Sequence, residues 1–89
     1  MRAYKKHIEV EVARIATLIN DAENNWAALP KWVRDGYDQG KILFLPDRLI
    51  IRTLEGEMCG QFEDWLIQGV RGEMYACARD IFVQTYELV

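Results

Sequence analysis

Between Lys41 and Ala78, short apolar runs alternate with turn-forming pairs. The pairs Pro46-Asp47, Glu55-Gly56, Glu63-Asp64 and Arg71-Gly72 separate Ile42 to Leu45, Leu49 to Leu54, Met58 to Phe62, Trp65 to Val70 and Met74 to Cys77. Short apolar segments at this cadence predict an antiparallel β-meander. Pro46 suits the second position of a type I reversal. In the next turn, the glycine of Glu55-Gly56 supplies the positive φ of a tight hairpin. Leu49, Ile51 and Thr53 share one face of their strand, and Ile50, Arg52 and Leu54 the other. Apolar residues on both faces place that strand centrally, or between the helix and a partner.

Ahead of this region two further patterns appear. Residues Lys5 to Val12 alternate, with His7, Glu9 and Glu11 on one side and Ile8, Val10 and Val12 on the other, the period of a half-buried strand. Ala16 to Asn25 carries Asn20-Asp21 and Asn24-Asn25 and reads as an irregular connection with one helical turn at Ala16 to Ile19. Trp32, Val33 and Tyr37 then fall at helical spacing opposite Lys31, Arg34, Asp35 and Asp38. Pro30 fits a first turn and Gly40 a left-handed cap, so a helix is expected over Pro30 to Gln39 with a weak point at Gly36. After the meander, Asp80 is suited to cap a single helical turn from Ile81 to Gln84. Thr85 to Val89 is expected to run extended and pair with the first strand. The expectation is an α+β fold: a small antiparallel β-meander of about five strands, one main α-helix packed on it, and a short C-terminal helical turn.

With 89 residues, the chain makes one domain, and a 51% hydrophobic fraction is enough to fill its core. A formal charge of −3 argues against a nucleic-acid partner. No apolar run approaches the ~20 residues of a membrane helix, and the start Met1-Arg2-Ala3-Tyr4-Lys5-Lys6 lacks an apolar signal core, so the expected location is cytoplasmic. Cys59 and Cys77 belong to no Cys-x-x-Cys pair or Cys/His cluster, so no metal site, no cofactor and no disulfide is expected; both read as small half-buried strand residues.

The run Leu54-Glu55-Gly56-Glu57-Met58, the run Asp64-Trp65-Leu66-Ile67-Gln68-Gly69-Val70-Arg71-Gly72-Glu73-Met74-Tyr75-Ala76-Cys77, and the closing Asp80-Ile81-Phe82-Val83-Gln84-Thr85-Tyr86-Glu87 resemble a widespread family of small, largely uncharacterised bacteriophage and prophage proteins. Segments like "TLEG-x-M", "GDWIIKGV-x-GE-x-YPC" and "DIF-x-x-TYE" occur there in this order. The basic start and Leu29-Pro30-Lys31-Trp32-Val33 are similar to it too, while Glu63 and Ala76 depart from it. The resemblance covers about half the chain. It implies a phage origin and a compact α+β domain, and it carries no activity and no catalytic residue.

Catalytic chemistry is thin. His7, the sole histidine, sits on a polar strand face, where Glu9 or Glu11 could orient it only at i+2 or i+4 along the strand, and reads as exposed and inert. Glu55, Glu57, Glu63 and Asp64 gather near one edge of the expected meander, where wet turns are commonly acidic and where paired carboxylates could also hold Mg²⁺. Gly69-x-x-Gly72 precedes no helix N-terminus, so it lacks phosphate-loop geometry. There is no serine. A non-enzyme is expected. Trp32 and Trp65 read as core, whereas Trp26, Tyr37, Tyr75 and Tyr86 exceed what so small a core uses, and Trp, Tyr and Arg anchor interfaces. The candidate binding residues are Trp26, Tyr37, Arg48, Arg52, Arg71, Tyr75 and Tyr86. Three readings follow: contact with a host protein such as a defence component; an oligomeric sponge for an anionic nucleotide signal, using the arginines and aromatic stacking; or a structural assembly role with self-association into a homo-oligomer.

Overall fold

The computed structural model describes residues 1–3 and 7–89. The protein is α+β, and its described residues form six strands and three α-helices: β1 (Glu11–Arg14), α1 (Ile15–Asn24), α2 (Lys31–Asp38), β2 (Ile42–Phe44), β3 (Arg48–Thr53), β4 (Gly56–Gln61), β5 (Trp65–Gln68), β6 (Met74–Cys77) and α3 (Arg79–Thr85), with a 3₁₀ turn at Trp26–Ala28. The strands form two three-stranded antiparallel sheets, ordered β1-β5-β6 and β2-β3-β4. The expected single meander is thus broken after β4. Turn Phe62 to Asp64 carries the chain from one sheet to the other, and β5 pairs with β1 and β6 instead of with β4.

Asp64 fixes that crossing. Its Oδ2 accepts from the Gln61 N–H at 2.9 Å, and its own N–H donates to the Gln61 carbonyl at 3.0 Å. Its carbonyl accepts the first free N–H of α1, from Ile15, at 3.0 Å. Helix α1 therefore starts directly at the end of β1 without a side-chain cap, because the turn before β5 satisfies its terminus.

Register places Ala13, Leu66 and Ala76 in one row and Glu11, Gln68 and Met74 in another on the inner face of the first sheet. In the second sheet, Phe44, Leu49 and Gly60 share a row, as do Ile42, Ile51 and Met58. One core joins these faces: Leu49, Ile51, Leu66 and Met74 pack with Ile42, with Ile15, Leu18 and Ile19 of α1, with Leu29, and with Val33 of α2. Burial of these side chains from water is the main stabilising term. The sheets meet at Gly60, where a Cβ would lie 2.5 Å from Ile15 Cδ1 and 3.4 Å from Ala76 Cβ. Gly36, expected to weaken α2, instead lets that helix rest on Met74, whose Cε would lie 2.5 Å from a Cβ there.

The first strand is shorter and later than the alternation predicts. It covers Glu11–Arg14 because β5 ends at Gln68, the partner of Glu11, which leaves preceding residues no strand to pair with; His7, Ile8 and Glu9 are exposed. Lys5 and Lys6 of the expected strand lie outside the described residues. Where an irregular connection is expected, α1 runs ten residues, driven by Ile15, Leu18, Ile19 and Ala22 at the i, i+3, i+4, i+7 spacing of a buried helical face. There are accordingly two helices against the main core in place of one. Helix α2 runs from Lys31 to Asp38, one residue shorter at each end than expected, with Pro30 as its N-cap instead of in its first turn, and Gly40 (φ +74°) follows its end. Helix α3 spans seven residues, more than one turn; its N-cap is Ala78 instead of Asp80, which sits in the first turn. Residues 86–89 form no strand; Tyr86 is held against Phe82 and Tyr75 instead, so the chain does not return to the first strand as expected. Among the described residues no helix is long and apolar enough to cross a membrane.

Candidate functional site

Two aromatic groups stand out, one on each side of the molecule's two-sheet core. The first collects Trp26 of the 3₁₀ turn, Tyr37 of α2 and Phe44 of β2. Trp26 makes T-shaped contacts with both others, with ring centroids 4.9 Å from Tyr37 at 74° and 5.8 Å from Phe44 at 78°. Tyr37 and Phe44 are 6.0 Å apart and tilted by 34°. Edge-to-face contacts of this kind satisfy the ring quadrupoles, yet the cluster is not sealed: Trp26 is 40%, Tyr37 41% and neighbouring Leu43 43% exposed.

These rings wall a hollow of about 280 Å³, backed by Ile19 and Ala22 of α1 and closed by Leu43 to Pro46. Among the described residues Glu23 is the one charged side chain lining it. A second hollow, of about 360 Å³, shares Tyr37 and Leu43 and continues past Asp38 to Arg52. The two hollows share Tyr37 and Leu43 in their linings, and together they are the groove beside β2. The Arg52 guanidinium is matched by Glu57 on the neighbouring strand at 3.3 Å.

The edge of β2 that borders this groove has free hydrogen-bonding groups by its register. Arg52 N–H donates to the Lys41 carbonyl and Leu45 N–H to the Arg48 carbonyl, so alternation along an antiparallel ladder turns Lys41, Leu43 and Leu45 toward β3 and the backbone groups of Ile42 and Phe44 away from it.

The second group lies on the outer face of the other sheet. Register places Arg14, Trp65 and Cys77 in one row and Val12, Ile67 and Tyr75 in the next. Helix α3 covers this face. Phe82 stacks on Trp65 at 4.0 Å and 8°, Tyr86 stacks on Phe82 at 5.1 Å and 15°, and the Arg14 guanidinium carbon sits 5.3 Å from the Trp65 ring centroid. Tyr75 and Tyr86 share a hydroxyl–hydroxyl hydrogen bond of 3.0 Å. Burial, followed by that hydrogen bond, raises the Tyr75 phenol well above its ordinary value, and burial followed by the carboxylates of Asp64 and Asp80 raises the Cys77 thiol. These groups fasten the chain's own helix to its own sheet.

The structure thus divides the seven residues singled out in the sequence. Trp26, Tyr37 and Arg52 border the groove. Tyr75 and Tyr86 meet each other under α3. Arg48 pairs with Asp47 at 3.0 Å, and Arg71 occupies the exposed turn between β5 and β6; the arginines do not converge. Leu43, Phe44 and Glu23 complete the groove and escaped the sequence reading. Leu43 is visible there as an apolar residue on the strand face opposite Ile42, but its exposure depends on the outside of the second sheet, which no element among the described residues covers.

The four carboxylates do not gather either: Glu55 and Glu57 lie at the start of β4, Glu63 and Asp64 beyond its end. Among the described residues no group of three His, Cys, Asp or Glu could hold a metal ion. Cys59 is exposed and only Cys77 half-buried, where both were expected half-buried, because no element among the described residues covers the outward face of β4. Trp65 belongs to the layer under α3, not to the main core. No protein-family model, curated protein or solved structure matches the chain.

Proposed function

We propose that this protein is a phage-encoded binding domain without catalytic chemistry that engages a host protein through the groove bordered by Trp26, Tyr37 and Leu43. A host defence component is the partner class that the phage-like motifs suggest. One observation carries the reading: three large apolar side chains remain about 40% exposed side by side along a concave surface, although the same fold buries twelve apolar side chains among the described residues almost completely. Contiguous exposed apolar surface of this kind marks interaction sites, and Trp and Tyr supply the dominant contacts at such sites. A sponge for an anionic nucleotide calls for converging cations, whereas Arg48 and Arg52 face Asp47 and Glu57. That favours protein contact over the nucleotide reading.

The test compares the tagged full chain with a Trp26→Ala/Tyr37→Ala variant in capture from bacterial lysate, followed by purification of any stoichiometric partner and calorimetric titration. The wild type is expected to bind the purified partner at least tenfold more tightly than the variant, the scale of losing one or two anchor side chains. Equal affinity of the two forms overturns the proposal. So does turnover of a nucleotide or peptide that is lost in Glu57→Gln or Asp64→Asn.

A further inference from the structure

We propose that the corner formed by Trp26, Tyr37 and Phe44 receives a cationic side chain, arginine or lysine, from the protein partner, with Glu23 as its counter-charge. The inference rests on the binding reading above and adds the chemistry of what binds. Three ring planes converge here, with Trp26 nearly perpendicular to the other two and all centroids within 6.0 Å of each other. The faces of aromatic rings are negative, so a cation within about 6 Å of a centroid is attracted, most strongly by Trp. Glu23 adds a carboxylate to the same hollow, and among the described residues no cation lines it. Along the adjoining hollow, Asp38 is a second carboxylate, and the one arginine, Arg52, is held by Glu57 at 3.3 Å.

Each class of occupant meets this surface differently. An anionic group would face both the negative ring faces and Glu23. An apolar group would suit the rings but would leave the exposed Glu23 carboxylate without a counter-charge. A cation satisfies both at once. Arginine fits best, because its planar guanidinium stacks on aromatic faces and pairs with a carboxylate through two donors. A hollow of about 280 Å³ admits one long side chain; it is too small for a helix, about 10–12 Å across with its side chains.

The experiment is a titration of the ¹⁵N-labelled full chain with blocked tripeptides of the form acetyl-Gly-Xaa-Gly-amide, where Xaa is Arg, Lys, norleucine or Glu. It follows the Trp26 indole Nε1–H signal, with Trp32 and Trp65 as internal references. The expected result is a saturating shift at Trp26 alone, tightest for Arg, about fivefold weaker for norleucine and absent for Glu, the ratio reflecting a partly exposed cation–π contact. Glu23→Gln, at an exposed position that leaves packing intact, should weaken the Arg peptide about threefold and leave norleucine unchanged. Norleucine binding as tightly as arginine, an unchanged Arg affinity in Glu23→Gln, a preference for the Glu peptide, or no response at Trp26 each overturns the cation assignment. None of these outcomes decides the host-protein reading, which stands or falls on the purified partner's affinity for the Trp26→Ala/Tyr37→Ala variant.

Discussion

Truncating Phe82 to alanine tests whether α3 is part of the folded domain or an appendage. Helix α3 has seven residues, well below the ~12–15 at which isolated helices become even marginally stable, so packing alone holds it. Phe82 is its one buried residue, 3% exposed, and sits between the Trp65 and Tyr86 rings. Burying a Phe side chain contributes about 1.5–3 kcal/mol, and Phe→Ala truncation with its cavity typically removes 3–5 kcal/mol. Here the cavity would open under a surface helix that can settle or detach, so the lower end applies, about 3 kcal/mol. For a domain of this size, with about 5–10 kcal/mol of total stability, that is a large fraction. Urea unfolding followed by tryptophan fluorescence measures it, with Phe82→Leu as a control expected to lose about 1 kcal/mol. In Phe82→Ala, Cys77 should also alkylate faster, because it shares the covered sheet face with Trp65. A loss under about 1 kcal/mol with an unchanged Cys77 rate would show that α3 contributes little and that the ring stack is incidental.

Three further outcomes are expected. In the wild type, thiol reagents at pH 7.5 should label exposed Cys59 well before Cys77, whose thiol is half-buried and whose ionisation is pushed up by burial and nearby carboxylates; mass spectrometry of the labelled peptides reads the order. Because the Tyr75 phenol is raised above its ordinary 10.0, the folded state favours the neutral form, so its contribution is fully present below about pH 10 and declines as pH rises beyond it. Tyr75→Phe should therefore lower stability by about 1 kcal/mol at pH 7 yet show a shallower loss between about pH 10 and pH 11.5, measured by urea titration at each pH. Gly60→Ala should destabilise by about 1–3 kcal/mol, since its Cβ would strike the fully buried Ile15 between two sheets. Gly36→Ala should cost less than half as much, because the flexible Met74 side chain can move and alanine favours the helix by about 1 kcal/mol over glycine; thermal melts of both variants decide the contrast.

What the chain encodes locally is visible in its sequence. The hairpins joining β2, β3 and β4 follow from Pro46-Asp47 and Glu55-Gly56 because turn geometry depends on two or three adjacent residues. Helix α2 follows from Pro30, its apolar spacing and Gly40 for the same reason. Helix α1 was also legible in principle through Ile15, Leu18, Ile19 and Ala22; what obscured it is that β1 passes into it with no turn residue, the terminal N–H being satisfied from Asp64, far along the chain.

Which strands pair was settled only by tertiary structure. Nothing local distinguishes a β4–β5 hairpin at Glu63-Asp64 from a crossing between sheets; the choice rests on β1 occupying the free edge of β5 and on α1 filling the space at Gly60. The site shows the same division. Trp26 and Tyr37 drew notice as surplus aromatics, and so did Tyr75 and Tyr86, because residue type alone signals large apolar area. That the first pair lines an open groove while the second clamps α3 onto its own sheet depends on contacts across the chain: Trp26 with Phe44, and Trp65 with Phe82. Exposure is a property of what covers a side chain, and the covering elements arrive from segments that no local pattern connects.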